Sequence, residues 1–136
     1  MEGEKRKILI VDDDSFLLDM YAFKFSQNNF EVYTATDGSQ VMEKLKGGLV
    51  PDVMLIDIIM PIMDGFEVLE RINNDNMCKD AVKIILSNKS QQADIDRGNT
   101  LGVEGYIVKA NSTPAEVIAQ VIEILSKKIS NSKQSQ

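Results

Sequence analysis

Residues 53–69, V-M-L-I-D-I-I-M-P-I-M-D-G-F-E-V-L, combine the signals of a strand, a turn and a helix start. The unbroken apolar run at 53–56 is typical of a central strand that is covered by helices on both faces. Asp64 and Glu67 match a capping box, which predicts a helix beginning near Gly65. Asp57 therefore stands at the end of a buried strand, before a loop and a helix.

The same alternation of strands and helices extends along the chain. Runs at 8–11, 30–35, 53–56, 82–86 and 103–108 are rich in β-forming residues and alternate with helical patterns. This alternation predicts a parallel sheet in an α/β fold. The run at 30–35 is more mixed in polarity, so we expect it at an edge of the sheet.

Several helices carry boundary signals in the sequence. The helix predicted at 39–46 ends at Gly47-Gly48, as helices commonly do. Thr113, Pro114 and Glu116 match an N-cap, a first-turn proline and a capping box, so the last helix begins there. Its expected buried stripe is Ile118, Val121, Ile122, Leu125 and Ile129. Segment 90–101 is polar, which makes the fourth helix weakly specified.

The first helix has apolar side chains on more than one side. Those expected to face the sheet are Leu17, Met20, Tyr21 and Phe25, which leaves Phe16, Leu18 and Phe23 elsewhere. Two interpretations are open at this point: a broad core stripe, or a surface that binds a partner protein.

The length of the chain, 136 residues, and its composition indicate one packed domain, which we place at 1–129. Residues 130–136 lack apolar side chains and are expected to form a disordered tail. The net charge of −6, without a long basic block, argues against nucleic-acid binding. No apolar run approaches the ~18 residues that span a membrane, and the lone Cys78 favours the reducing cytoplasm.

Polar residues follow four of the predicted strands. Asp12-Asp13, Asp57, Ser87 and Lys109 each come after an apolar run. Because parallel strands end at one edge of a sheet, and ligands bind at that edge in open α/β folds, these residues are expected to meet. The predicted site contains three carboxylates, a hydroxyl and an ammonium group.

This set of side chains is suited to phosphoryl chemistry. Three carboxylates offer hard oxygen ligands for Mg²⁺, which also offsets their mutual repulsion. A carboxylate oxygen of Asp57 can attack a phosphoryl group, while Lys109 and Ser87 hold the phosphoryl oxygens. The chain has no histidine, so His-based acid–base catalysis and His metal ligation are excluded.

Each residue also has an ordinary structural interpretation. The aspartates at 12–14 could cap the first helix and Asp57 could cap a turn. Ser87 could be solvated, and Lys109 could be a surface charge. Four such coincidences at one sheet edge are less probable than one functional site.

Two segments resemble the receiver domain of two-component response regulators. They are residues 8–14, I-L-I-V-D-D-D, and residues 54–65, M-L-I-D-I-I-M-P-I-M-D-G, and the resemblance extends over about residues 5–129. It implies a flavodoxin-like, doubly wound, five-stranded parallel sheet in the order 2-1-3-4-5 with five helices. A member of this family is itself a standard example of that strand order.

The resemblance also implies a role for each site residue. Asp57 would be the phosphoacceptor, and Lys109 would bind the phosphate. The Mg²⁺ ligands would be Asp12, Asp13, Asp57 and the Ile59 backbone carbonyl. Ser87 and Tyr106 would be the switch residues, and Ile59 and Lys89 would tune dephosphorylation. Phosphorylation draws the hydroxyl toward the phosphate and turns the aromatic ring inward in this family, which remodels the surface of helix four, strand five and helix five.

The chain departs from the family pattern after Lys109. The family usually has proline at this point, often after a cis bond, whereas this chain has Ala110. A cis bond before alanine would cost ~3 kcal/mol, so we predict a trans bond and a loop that runs differently.

The resemblance implies a cytoplasmic phosphoacceptor switch rather than a turnover enzyme. Its donor would be a histidine kinase or a phosphotransfer protein, and it would signal through altered protein contacts to a target that the sequence does not name. Phosphorylation-dependent dimerisation is left open. Alternatives are a receiver domain from a longer regulator such as a transcription factor, a scaffold pseudo-receiver, and a Mg²⁺-dependent aspartyl phosphatase, although residues 57–59 lack that enzyme's second aspartate.

Overall fold

The computed structural model describes residues 5–134 and contains one five-stranded parallel sheet. In chain order the elements are β1 (Arg6–Val11), α1 (Ser15–Gln27), β2 (Phe30–Ala35), α2 (Gly38–Lys46), β3 (Val53–Ile56), α3 (Gly65–Asn74), β4 (Val82–Ser87), α4 (Gln92–Thr100), β5 (Gly105–Val108) and α5 (Pro114–Gln134). The strand order β2-β1-β3-β4-β5 confirms the predicted topology, with β2 at an edge.

Helices cover both faces of the sheet, and the sheet separates the core into two layers. On one face α1 and α5 pack against the sheet through Tyr21, Phe25 and Val121. On the other face α2 and α3 pack through Val41 and Leu69. The central strands are therefore buried on both faces, which explains their nearly continuous apolar sequence.

The capping signals read from the sequence are present as hydrogen bonds. The Glu67 N–H donates to Asp64 Oδ1, and the Asp64 N–H donates to a carboxylate oxygen of Glu67. Thr113 and Glu116 form the same reciprocal pair before α5. Both predicted helix starts are confirmed.

Some strand boundaries differ from the prediction. β1 begins two residues earlier, at Arg6, and β4 continues through Ser87. β5 begins at Gly105 rather than at 103, because Gly102 turns the chain with a φ of 86° and the Val103 N–H donates to Gly98 of the preceding helix. Val103 is apolar because it packs against the core beside the strand.

Two predicted helix faces were partly wrong. Leu18 is only 3% exposed and belongs to the core, while Phe16 and Phe23 are 79% and 63% exposed. In α5, Ile122 is exposed, and Val117 and Ile124 contribute to the core instead. The side chain of Ile129 lies outside the described part of the chain. Both helices carry apolar residues on neighbouring faces, so periodicity alone does not select the buried one.

The expected tail at 130–136 is helical as far as Gln134, and residues 135–136 lie outside the described residues. Neither glycine nor proline lies between Lys128 and Gln134, so each of these residues can extend the existing helix. Across residues 5–134, none of the helices has the length and apolar character needed to cross a membrane.

Candidate functional site

The site lies at the carboxyl edge of the sheet, where β1 and β3 end side by side. Val11 pairs with Ile56 in the parallel register, so Asp12 and Asp57 leave the sheet at the same level. The Asp57 N–H donates to the Val11 carbonyl at 2.9 Å, which extends the ladder by one bond beyond the strands. Adjacent strand ends thus bring together two aspartates that are far apart in sequence.

Three carboxylates form the acidic part of the site. One oxygen from each of Asp12, Asp13 and Asp57 lies within 4.8 Å of the others. Asp12 and Asp57 are buried, whereas Asp13 is exposed. Asp14 does not join them, because its side chain accepts the N–H groups of α1 as an N-cap. The structural interpretation given to residues 12–14 therefore holds only for Asp14.

Lys109 connects two of these carboxylates. Its Nζ lies 2.8 Å from Asp12 Oδ2 and 3.1 Å from Asp57 Oδ2, and all three side chains are largely buried. Burial acts to lower the pKa of the Lys109 ammonium, but the hydrogen bond to Asp12 and the charge of Asp57 outweigh it and raise the pKa above its usual value. The lysine is therefore held in its charged form.

For the Asp12 carboxyl, the effect of burial on the pKa is larger than that of its hydrogen bonds. Burial raises the pKa of its carboxyl, and the hydrogen bonds from Lys109 and from the Asp14 N–H offset only part of that effect. One ammonium does not neutralise three carboxylates, so the cluster retains a negative charge. Hard oxygen donors in such an arrangement fit Mg²⁺, which Asp12, Asp13 and Asp57 could hold.

The loop after Asp57 is held tightly against α3. The Ile59 N–H donates to Asp57 Oδ1 at 3.2 Å, and the Gly65 N–H donates to the Ile58 carbonyl at 3.0 Å. A β-carbon at Gly65 would lie 2.3 Å from the Asp57 carbonyl oxygen, so glycine is needed for this close approach. The Ile59 side chain is 57% exposed beside the acidic cluster.

Ser87 and Tyr106 are linked through the loop that follows β4. The fully buried Ser87 accepts the Lys89 N–H on Oγ at 3.3 Å. Tyr106 donates its hydroxyl to the Lys89 carbonyl. The Lys89 ammonium pairs with Asp94 of α4 at 3.6 Å. Ser87 and Lys109 thus reach the predicted edge, and Tyr106 and Lys89 lie in a hydrogen-bonded group beside it.

One contact of the site was missed from the sequence. Asn88 Oδ1 accepts the Ala110 N–H at 2.8 Å and joins the loops that follow β4 and β5. Its only sequence signal is an amide side chain directly after the Ser87 hydroxyl. Peptide bonds within residues 5–134 are all trans, which confirms the prediction for Lys109–Ala110.

The family model for the response regulator receiver domain matches residues 8–123 of the chain. The chain belongs to this family. Accordingly, the receiver domain described here is a signalling domain of two-component response regulators rather than a conventional enzyme.

Curated relatives of this receiver domain are longer proteins. It is 30% identical to the alkaline phosphatase synthesis transcriptional regulatory protein PhoP of Bacillus subtilis (strain 168), over 88% of this chain and 48% of that protein. It is 34% identical to the probable transcriptional regulator ycf27 of Guillardia theta, over 89% of this chain and 46% of that protein. The receiver domain therefore spans about half the length of these relatives.

Solved structures match the receiver domain over nearly their whole length. The chemotaxis protein CheY4 of Vibrio cholerae is 25% identical, with a TM-score of 0.81, over 89% of this chain and 99% of that chain. A CheY-like response regulator receiver domain protein from Methanospirillum hungatei JF-1 is also 25% identical, with a TM-score of 0.81, over 94% and 99%. These matches agree with the flavodoxin-like topology of the sheet.

Proposed function

We propose that this receiver domain is a phosphorylation switch that accepts a phosphoryl group on Asp57. The observation that carries the proposal is the position of Lys109, whose ammonium contacts both Asp57 and Asp12 while Asp13 lies beside them. A nucleophilic carboxylate, a fixed cation and two further carboxylates are the components that phosphoryl transfer requires.

In this proposal a carboxylate oxygen of Asp57 attacks the phosphorus of a phosphorylated histidine on the donor. The new O–P bond forms as the P–N bond breaks, and Lys109 stabilises negative charge on the phosphoryl oxygens. When bound by Asp12, Asp13, Asp57 and the Ile59 carbonyl, Mg²⁺ supplies charge neutralisation at the same oxygens. The Ile59 N–H, which donates to Asp57 Oδ1, helps to orient the carboxylate.

We further propose that Ser87 and Tyr106 transmit the modification. The buried Ser87 hydroxyl ends β4 beside the site and also accepts the Lys89 N–H, while Tyr106 donates to the carbonyl of the same Lys89. If Ser87 turns toward the phosphate, the Lys89 N–H loses its acceptor. The Lys89 carbonyl, which accepts the Tyr106 hydroxyl, can then move and alter this hydrogen bond. The surface of α4, β5 and α5 would then rearrange.

Ile59 and Lys89 would determine how long the phosphoryl group persists. Ile59 leaves an apolar side chain partly exposed next to Asp57, and the Lys89 ammonium is engaged with Asp94. Neither side chain can serve as a base that activates water at neutral pH. We therefore propose a comparatively slow self-dephosphorylation.

The proposed donor is a histidine kinase or a phosphotransfer protein in the cytoplasm. The exposed Phe16 and Phe23 on α1 would form part of the surface that contacts it. Two of the matched relatives are named as transcriptional regulators of about twice this length. The second candidate is therefore a receiver domain that forms part of a longer regulator, such as a transcription factor.

The test is incubation of the full chain with acetyl phosphate, with and without Mg²⁺, followed by intact-mass measurement. We expect the wild type to gain one phosphoryl group in a Mg²⁺-dependent manner, and Asp57→Asn to gain none. Asp80→Asn is the matched control, because it removes the same charge at an exposed position and should behave as the wild type. Modification of Asp57→Asn, or steady turnover of a phosphate ester, would contradict the proposal.

A further inference from the structure

We propose that Asn88 is a positioning residue for Lys109, acting through its hydrogen bond to the Ala110 N–H. The inference rests on the proposed function, because it concerns how the cation is placed for phosphoryl transfer to Asp57. It adds a residue to the site that the family resemblance did not supply.

The bond joins the residues that directly follow two functional positions. Asn88 follows Ser87, and Ala110 follows Lys109. Ser87 pairs with Val108 in the β4–β5 register, so both loops leave the sheet at neighbouring points. The 2.8 Å contact between Asn88 Oδ1 and the Ala110 nitrogen crosses from one loop to the other just beyond the last ladder pair.

Lys109 needs such support because its backbone has already left the sheet. Residues Lys109–Asn111 form a short 3-10 turn, in which the Ser112 N–H donates to the Lys109 carbonyl at a long 3.3 Å. Asn88 contributes a shorter bond from a different loop. A shift of this turn would move the base of the Lys109 side chain, whose Nζ must stay within reach of both Asp12 and Asp57.

The loop that carries Asn88 is itself held in place. Lys89 donates its N–H to Ser87 Oγ and accepts the hydroxyl of Tyr106 on its carbonyl. Asn88 and Ala110 are both exposed, so their contact is not required to fill the core. This hydrogen bond joins two exposed loops, each of which begins at a residue of the site. It therefore positions the loops relative to each other and does not fill the core.

The identity of residue 110 makes this bond possible. Alanine has a backbone N–H to donate, whereas a proline at the same position has none. Asn88→Ala removes the acceptor, Ala110→Pro removes the donor, and Ala110→Gly keeps the donor. Ser90→Ala is the control, since Ser90 is an exposed residue of the same loop.

The experiment measures the rate of phosphorylation of the full chain by acetyl phosphate at saturating Mg²⁺, together with Mg²⁺ affinity by calorimetry. We expect Asn88→Ala and Ala110→Pro each to slow the reaction roughly two- to tenfold, the worth of one such bond. The double variant should be no slower than the slower single variant. Ala110→Gly and Ser90→Ala should retain the wild-type rate. The measured Mg²⁺ affinity of each variant sets the concentration at which the site is saturated, so that the rates compare the chemical step.

The outcomes separate the two proposals. Normal phosphorylation of the wild type with unchanged rates in both single variants, or with effects that multiply in the double variant, would overturn the role of Asn88 and leave the proposed function intact. A wild type that accepts no phosphoryl group would overturn both. Faster exchange of the Ala110 amide with solvent in Asn88→Ala, measured by NMR, would support the bond independently of the reaction.

Discussion

Replacing Gly65 with alanine should force β3 and α3 apart at the base of the site. The added β-carbon would lie 2.3 Å from the carbonyl oxygen of Asp57 and 2.9 Å from Cα of Ile58, whereas ordinary contacts are 3.4–4 Å. Both obstructing atoms belong to the backbone, so no side-chain rotation relieves the overlap. The end of β3 and the start of α3 must separate by about 1 Å.

The energetic cost follows from two opposing effects. Overpacking of this kind costs ~1–3 kcal/mol, while alanine in place of glycine at a helical position recovers ~0.5–1 kcal/mol. A net loss of ~1–2 kcal/mol should lower the Tm by about 4–8 °C for a domain of this size. Displacement of Asp57 should also slow its proposed phosphorylation, since a 1 Å error in placement can cost ~100-fold in rate.

Thermal unfolding followed by circular dichroism and phosphorylation by acetyl phosphate are the two assays. Gly47→Ala is the matched control, because Gly47 has a right-handed helical backbone conformation and its added β-carbon would lie 3.2 Å from the Glu43 carbonyl oxygen and 3.6 Å from that of Lys44, without the 2.3 Å overlap found at Gly65. The control should stay within ~0.5 kcal/mol of the wild type. If Gly65→Ala has the same Tm as the control and is phosphorylated at the wild-type rate, close contact with the Asp57 carbonyl does not require glycine at this position.

Three further predictions concern the edges of the site. Ile59→Asn should accelerate decay of the phosphorylated protein about tenfold, or ~1.4 kcal/mol in barrier, because water gains a polar path to the phosphate; an unchanged decay rate would contradict the shielding role. Since burial raises the pKa of Asp12 above 3.8, the folded state binds this proton more tightly than the unfolded state. In metal-free buffer the free energy of unfolding therefore decreases as the pH rises from below 3.8 through the raised pKa of Asp12, because Asp12 ionises over this interval. The Tm of Asp12→Asn should consequently rise relative to the wild type over that interval, and a constant difference would exclude this linkage. Phe23→Ser should weaken phosphotransfer from a histidine kinase while leaving the Tm and the reaction with acetyl phosphate unchanged; equal transfer by both proteins would remove Phe23 from the docking surface.

The elements of the fold were largely predictable because local sequence specifies them. β2 and β3 have the predicted bounds, since each is a β-rich run between polar or glycine-containing segments. The capping residues Asp64 and Thr113 start their helices as predicted, because an N-cap acts over only three residues. Predictions failed where several local solutions were equivalent, as for Leu18, which lies on a helix that is apolar on more than one side.

By itself the sequence determined that strands alternate with helices and that Asp12, Asp13, Asp57, Ser87 and Lys109 lie at the carboxyl ends of strands, because these properties depend on neighbours along the chain. The strand order came from the family resemblance rather than from any pattern of spacing. Only the tertiary structure decided which atoms meet: Lys109 contacts Asp12 across 97 residues and Asp57 across 52. The Asn88–Ala110 bond likewise depends on how β4 and β5 are paired. Such contacts depend on strand register and on helix packing. These are determined by which apolar faces are buried against residues distant in sequence, and the spacing of residues within one segment does not specify them.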